Sequence, residues 1–170
     1  MSEFEMSEEE VRLLPEWLRE IATGLASADE DTHWQAAIAL GAFSETDPED
    51  IWPLVEKWGS CRDEDTRTAI STCVLEHVLE AHFEPFFTRA EQLIQQNNVA
   101  FADTFSGCWQ FGQANLPGNS ERFVNLQAQA EWMCQSRRRK RRKKASLAGQ
   151  RLKRKLRRQR NLKLARCAEG

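Results

Sequence analysis

The side chains best equipped for chemistry are three histidines, His33, His77 and His82, and five cysteines, Cys61, Cys73, Cys108, Cys134 and Cys167. Two of the histidines lie in the acid-rich stretch Glu76-His77-Val78-Leu79-Glu80-Ala81-His82-Phe83-Glu84. A metal site on one helix needs ligands three or four residues apart, and His77 and His82 are five apart. Glu76, Glu80 and Glu84 recur at one-turn spacing, which is the spacing of a solvated acidic face beside a half-buried His77. No metal is expected there. Cys108 sits in Asp103-Thr104-Phe105-Ser106-Gly107-Cys108-Trp109-Gln110-Phe111-Gly112, where small residues alternate with aromatic ones. No base or orienting acid can be assigned to the thiol, so the segment is expected to pack as a tight helix rather than to react. Phosphate loops, nucleophile elbows and dinucleotide fingerprints are absent, and all eight glycines are isolated. A non-enzymatic chain without a cofactor is the expectation.

The cysteines are odd in number and lack zinc-site spacing, so they read as buried thiols in a reducing cytoplasm. No apolar run approaches the roughly 18 residues that cross a bilayer, and the acidic start Met1–Glu10 lacks an export pattern. The expected location is cytoplasmic, or nuclear in a eukaryote.

Charge divides the chain sharply. Residues 1–135 carry seven Lys/Arg and 25 Asp/Glu, a formal −18, while residues 136–170 carry 17 Lys/Arg and one acid, a formal +16. The formal net charge of −2 describes neither part. Two domains are expected, an acidic body over 1–135 and a basic tail over 136–170.

The elements of the body read as helices. Ser7 with Glu10, and Ser27 with Glu30, fit capping boxes, and Pro15 suits a first helical turn. Asp47-Pro48-Glu49-Asp50 starts a helix that Pro53 is expected to kink or delay and Gly59-Ser60 to end. Asp63-Glu64-Asp65-Thr66 opens the longest regular stretch, with Ala69, Ile70, Cys73, Val74, His77, Val78 and Ala81 on one face. Glu84-Pro85 starts a further helix and Asn97-Asn98 breaks it. Val99–Phe111 and Ser120–Cys134 complete about seven helices, the last two separated by a Pro117-Gly118-Asn119 turn. Of the aromatic set Trp52, Trp58, Phe83, Phe86, Phe87, Phe101, Phe105, Trp109 and Phe111, most is expected in the core.

The string Asp29-Glu30-Asp31-Thr32 recurs 34 residues later as Asp63-Glu64-Asp65-Thr66. Each copy is followed by an apolar helix, a short link and a helix opening at an acid-Pro step, Asp47-Pro48 or Glu84-Pro85. A degenerate third copy starts near Asn97-Asn98. Asp31-Thr32-His33-Trp34-Gln35-Ala36-Ala37-Ile38-Ala39-Leu40-Gly41 resembles the first helix of a HEAT-type repeat, with its leading Asp and its Ala-Leu-Gly ending. Asp65-Thr66-Arg67-Thr68-Ala69-Ile70 resembles the same start and carries the family's Arg, where the first copy has His33. The second copy lacks the Leu-Gly ending. The tetratricopeptide pattern, which shares the 34-residue period, is not visible. The resemblance spans 29–112 and implies an all-α fold, a short α-solenoid of antiparallel helix pairs that offers a binding surface to another protein. On that reading Asp29, Glu30, Asp31, Asp63, Glu64 and Asp65 line up as an acidic ridge for a partner.

The tail opens with eight consecutive cations, Arg137, Arg138, Arg139, Lys140, Arg141, Arg142, Lys143 and Lys144. A second block includes Arg151, Lys153, Arg154, Lys155, Arg157 and Arg158. Repulsion among them predicts a disordered or partly helical segment. Its cations would bind nucleic acid or another polyanion through the backbone and without sequence preference. The absence of any aromatic residue from 136 to 170 excludes base stacking by the tail. Three other readings stand beside this one: docking on an acidic body, a nuclear-localisation signal, and a frameshifted or non-native end.

Overall fold

Local signals set most helix starts. The computed structural model describes residues 7–168, and the side chains of these except residues 8, 149–152 and 154–168. Every α, 3-10 or π segment among them is helical and no strand occurs. Helix α1 spans Glu8–Leu13, α2 Glu16–Leu25, α3 Glu30–Gly41, α4 Pro48–Gly59, α5 Glu64–Ile70, α6 Glu76–Ala81, α7 Phe83–Gln95, α8 Val99–Ser106 and α9 Asn119–Ala168. A π turn, Ser71–Leu75, joins α5 to α6, and a 3-10 turn, Gly112–Asn115, precedes α9. The chain divides into two compact units, Met1–Met133 and Cys134–Gly170.

Ser7 and Glu10 form the expected capping box. Glu10 also meets Lys57 at 3.1 Å. Hydrogen bonds from the Ser7 amide and hydroxyl, then from Lys57, hold the Glu10 carboxyl down at about 2. Ser27 does not cap α3. Asp29 does, because its carboxylate takes both the amide and the hydroxyl of Thr32, at 2.8 and 2.6 Å. Ser27 only accepts from the Asp29 amide. Pro15 stands one residue outside α2, and Pro53 lies inside α4 without delaying it. At Pro15 the missing amide costs nothing, whereas Pro53, the sixth residue of α4, removes one bond of the helix ladder.

The long stretch from Asp63 is one helix carrying an inserted residue. In the π turn the Glu76 amide donates to the Ser71 carbonyl, one residue further back than in an α-helix. The buried face therefore shifts. Ala69, Ile70, Val74 and Val78 are buried as expected, but so are Leu75, Glu76 and Leu79, while His77 is exposed and Cys73 and Ala81 are half-buried. Neighbouring groups occupy the turn. The Ser44 hydroxyl donates to the Val74 carbonyl, and the Cys108 thiol to the Ser71 carbonyl. Gly41 abuts the turn so closely that a Cβ there would lie 2.0 Å from the Cys73 carbonyl oxygen.

Helix α8 stops at Ser106, not at Phe111, since Gly107 caps it and the following chain leaves helical geometry. The core of the first unit is a run of aromatic contacts. Phe83 stacks on Phe87 at 4.6 Å, Phe87 meets Phe105 at 6.1 Å, and Phe105 meets Phe123 of α9 at 4.9 Å. In the row formed by α3, α5 with its π turn, and α8, each member packs on the next; α2 packs beside α3, and α7 beside α6 and α8. Residues 134–168 of the second unit are helical throughout. No helix among the described residues is long and apolar enough to cross a membrane.

Candidate interaction site

The six acids of the expected ridge serve two different purposes. Asp29 and Asp63 are consumed locally. Asp63 accepts from the Thr66 amide and hydroxyl, each at 2.8 Å, the arrangement that Asp29 makes with Thr32. Those bonds, hydroxyl first at Asp29 and amide first at Asp63, hold both carboxyls below the ordinary aspartate value. Glu30, Asp31, Glu64 and Asp65 are exposed in the first turns of α3 and α5, where acids favour the positive helix end. Asn98 caps α8 in the same way, accepting from the Phe101 amide at 3.1 Å.

Arg67 links these starts. Its Nη1 donates to the carbonyls of Cys61, Arg62 and Asp63 at 2.9–3.0 Å, and its Nη2 pairs with Asp103 of α8 at 2.7 Å. Only 11% of the side chain is exposed. Beside it a cleft of about 190 Å³ runs between α5 and α8, lined by Glu64, Thr68, Ser71, Asp103 and Ser106. His33, at the equivalent place in α3, takes one carbonyl, that of Leu25 at 2.9 Å, and its Nε2 is buried without a partner.

The other reactive side chains are held in structural contacts. His77 meets Glu80 at 3.2 Å, and His82 faces away, to the Glu45 carbonyl at 2.8 Å. Among the described residues no three His, Cys, Asp or Glu are grouped to hold a metal. Cys108 lies against Ser71, 3.4 Å from its hydroxyl, and burial pushes the thiol up to about 12. Glu76, at a buried position, accepts the Trp109 amide at 3.1 Å, and desolvation raises its carboxyl.

A second set of contacts was hidden in the sequence. Arg89 of α7 pairs with Glu49 of α4 at 2.8 Å and lies over the rings of Trp52 and Phe86, 5.9 and 4.8 Å from their centroids. Arg122 of α9 pairs with Glu84 of α7 at 2.6 Å and lies over Phe83 and Phe87, at 5.5 and 4.8 Å. Each rung joins an arginine to a first-turn glutamate and to the aromatic residue three positions on. The signal available was the recurrence of Glu49 as Glu84, 35 residues on, and of Arg89 as Arg122, 33 on. It is easily missed because the rung's two halves lie far apart in the chain.

Of the aromatic set, Trp109 and Phe111 are the exceptions to burial, at 71% and 41% exposed. The expected tight packing of 103–112 thus holds only as far as Cys108. On α9, Val124 and Trp132 are likewise open, at 53% and 68%. In the second unit Arg137, Arg138, Arg139, Lys140, Arg141, Arg142, Lys143, Lys144 and Lys153 are exposed. The side chains of Arg151, Arg154, Lys155, Arg157 and Arg158 lie outside the described residues. What the fold defines is an all-helical protein. Comparison with protein-family models, curated proteins and solved structures finds no match to the chain.

Proposed function

We propose that the chain is a non-enzymatic interaction module of the cytoplasm. Its first unit is a short α-solenoid of HEAT-like helix pairs that binds another protein, and its basic tail adds sequence-blind contact with nucleic acid or another polyanion. The observation that supports this best is the recurring helix start: Asp29, Asp63 and Asn98 each cap a helix on the third residue, and Arg67 of one copy reaches Asp103 of the next. Stacked copies of this kind provide a surface, not a reaction centre.

A second reading, a nucleic-acid-binding protein that acts mainly through the tail, is favoured by the exposure of the cations at 137–144. Full-length chain and a variant with those eight residues changed to Gln are titrated against mixed-sequence duplex DNA at rising salt. A steep salt slope that the variant loses is expected; equal affinity would remove the polyanion role. The variant is then used as bait in nuclease-treated extract. A partner retained without the cations supports the module, and partner recovery that depends on them supports the second reading.

A further inference from the structure

The ladder of arginine rungs stops one helix short. Its pattern is a first-turn glutamate with an apolar residue three positions on: Glu49 and Trp52 in α4, Glu84 and Phe87 in α7, Glu121 and Val124 in α9. In the first two cases an arginine from the next helix of the ladder, Arg89 of α7 or Arg122 of α9, pairs with the glutamate and covers the ring. Trp52 and Phe87 are then 6% and 1% exposed, whereas Val124 is 53% exposed and no ion pair to Glu121 occurs among the described residues.

Helix geometry places this open position on the continuing side. Arg122 and Val124 are two residues apart, so they project roughly 200° from each other. Arg122 faces back to α7, and Val124 therefore faces away from it. Ala128, one turn beyond Val124, is also exposed, and Glu131 adds a second exposed acid. Trp132, two turns from Val124, is open as well. The Gln127 amide donates to the carbonyls of Ser106 and Cys108, which brings this part of α9 beside the chain leading to exposed Trp109.

We infer that this α9 face is a docking site for an amphipathic helix of a partner protein, which supplies an arginine to Glu121 and lays its apolar side on Val124. The inference rests on the helical-repeat reading, since it extends that reading's internal interface by one rung. Three features specify the occupant. The existing rungs are made by helices that bring arginine. The first unit carries a formal −18, which favours a cationic approach. A second copy's first unit offers less, because Arg67, Arg89 and Arg122 are committed, Arg19 holds the carbonyls of Leu14 and Arg12, and the exposed Arg12 lies on α1, a helix of six residues.

The probe is a fluorescent peptide of residues 119–133, which contains Arg122 and its neighbouring apolar residues. Its binding to the full chain is followed by anisotropy. Glu121→Arg combined with Val124→Ser, both at exposed positions, should weaken binding about tenfold. A peptide carrying Arg122→Glu should bind the Glu121→Arg chain better than the native chain. No binding, or binding that ignores both substitutions, overturns the site. So does self-association of the chain that Glu121→Arg abolishes, since the occupant would then be a second copy. Arg89→Glu and Arg122→Glu in the full chain provide the control. If they lower the unfolding midpoint while the peptide fails, only the docking site falls. If they leave the midpoint unchanged, the ladder and the repeat reading fall with it.

Discussion

Helices α3 and α5 begin with the same four residues and the same cap, yet they are held in different ways. At Asp29 and Asp63 one carboxylate gathers a threonine amide and hydroxyl at nearly equal distances. One residue beyond each threonine the two helices part. His33 reaches a single carbonyl, while Arg67 gathers three carbonyls and reaches Asp103 of α8, and each leaves one buried nitrogen without a hydrogen bond, Nε2 of His33 and Nε of Arg67. Further on, α3 ends in Leu40-Gly41 pressed against the π turn, and α5 runs directly into that turn. Identical local chemistry thus makes identical caps, and the residues after the cap decide what each helix can touch.

Gly41→Ala should have the largest effect. The new methyl would meet the Cys73 backbone carbonyl oxygen at 2.0 Å, a contact no side-chain rotation can relieve, and the expected loss is about 3 kcal/mol in urea unfolding. Arg67→Met comes next at about 3 kcal/mol or slightly less, because it removes the ion pair to Asp103 and the guanidinium donor shared by three carbonyls. His33→Leu should be close to neutral in the same assay, within about 1 kcal/mol, since it removes one bond together with an unsatisfied nitrogen. A large loss at His33 and a small one at Arg67 would reverse the contrast drawn here.

The caps should respond alike. Asp63→Ala is expected to cost about 1 kcal/mol, and Asp29→Ala to act in the same direction. Their lowered carboxyl values fix the sign with pH. The folded state holds the carboxylate more tightly than the unfolded chain does, so the contribution is present above the ordinary value of 3.8 and is lost as pH falls through the lowered one. Glu76 has the opposite sign, because burial raises it above 4.5. Its charge weakens the fold as pH rises through the raised value. Glu76→Gln, which keeps an acceptor for the Trp109 amide, should leave neutral-pH stability unchanged or slightly higher and flatten that part of the pH profile.

The sequence made the caps legible because a cap is local. Asp63 with Thr66 needs only four residues, and Gly118, at φ +87°, needs only the turn it makes possible. Ser27 with Glu30 overlaps Asp29 with Thr32, and the charged acceptor takes the helix start. The π turn left no local mark. Its carbonyls are met by Ser44 from 30 residues upstream and by Cys108 from 37 downstream, so it exists only in the folded packing. Its inserted residue then shifts the buried face, which is why His77 lies outside and Glu76 lies in. The arginine ladder is equally non-local, because each rung closes across 38 or 40 residues.

Arg67 and Asp103 join the start of α5 to α8 and give the most direct handle on how these helices hold each other. A double-mutant cycle with Arg67→Met and Asp103→Asn, read by urea unfolding of the full chain, isolates their coupling. The expected coupling is about 2 kcal/mol, with the second substitution costing little once the first is made. Full additivity of the two losses would contradict the account.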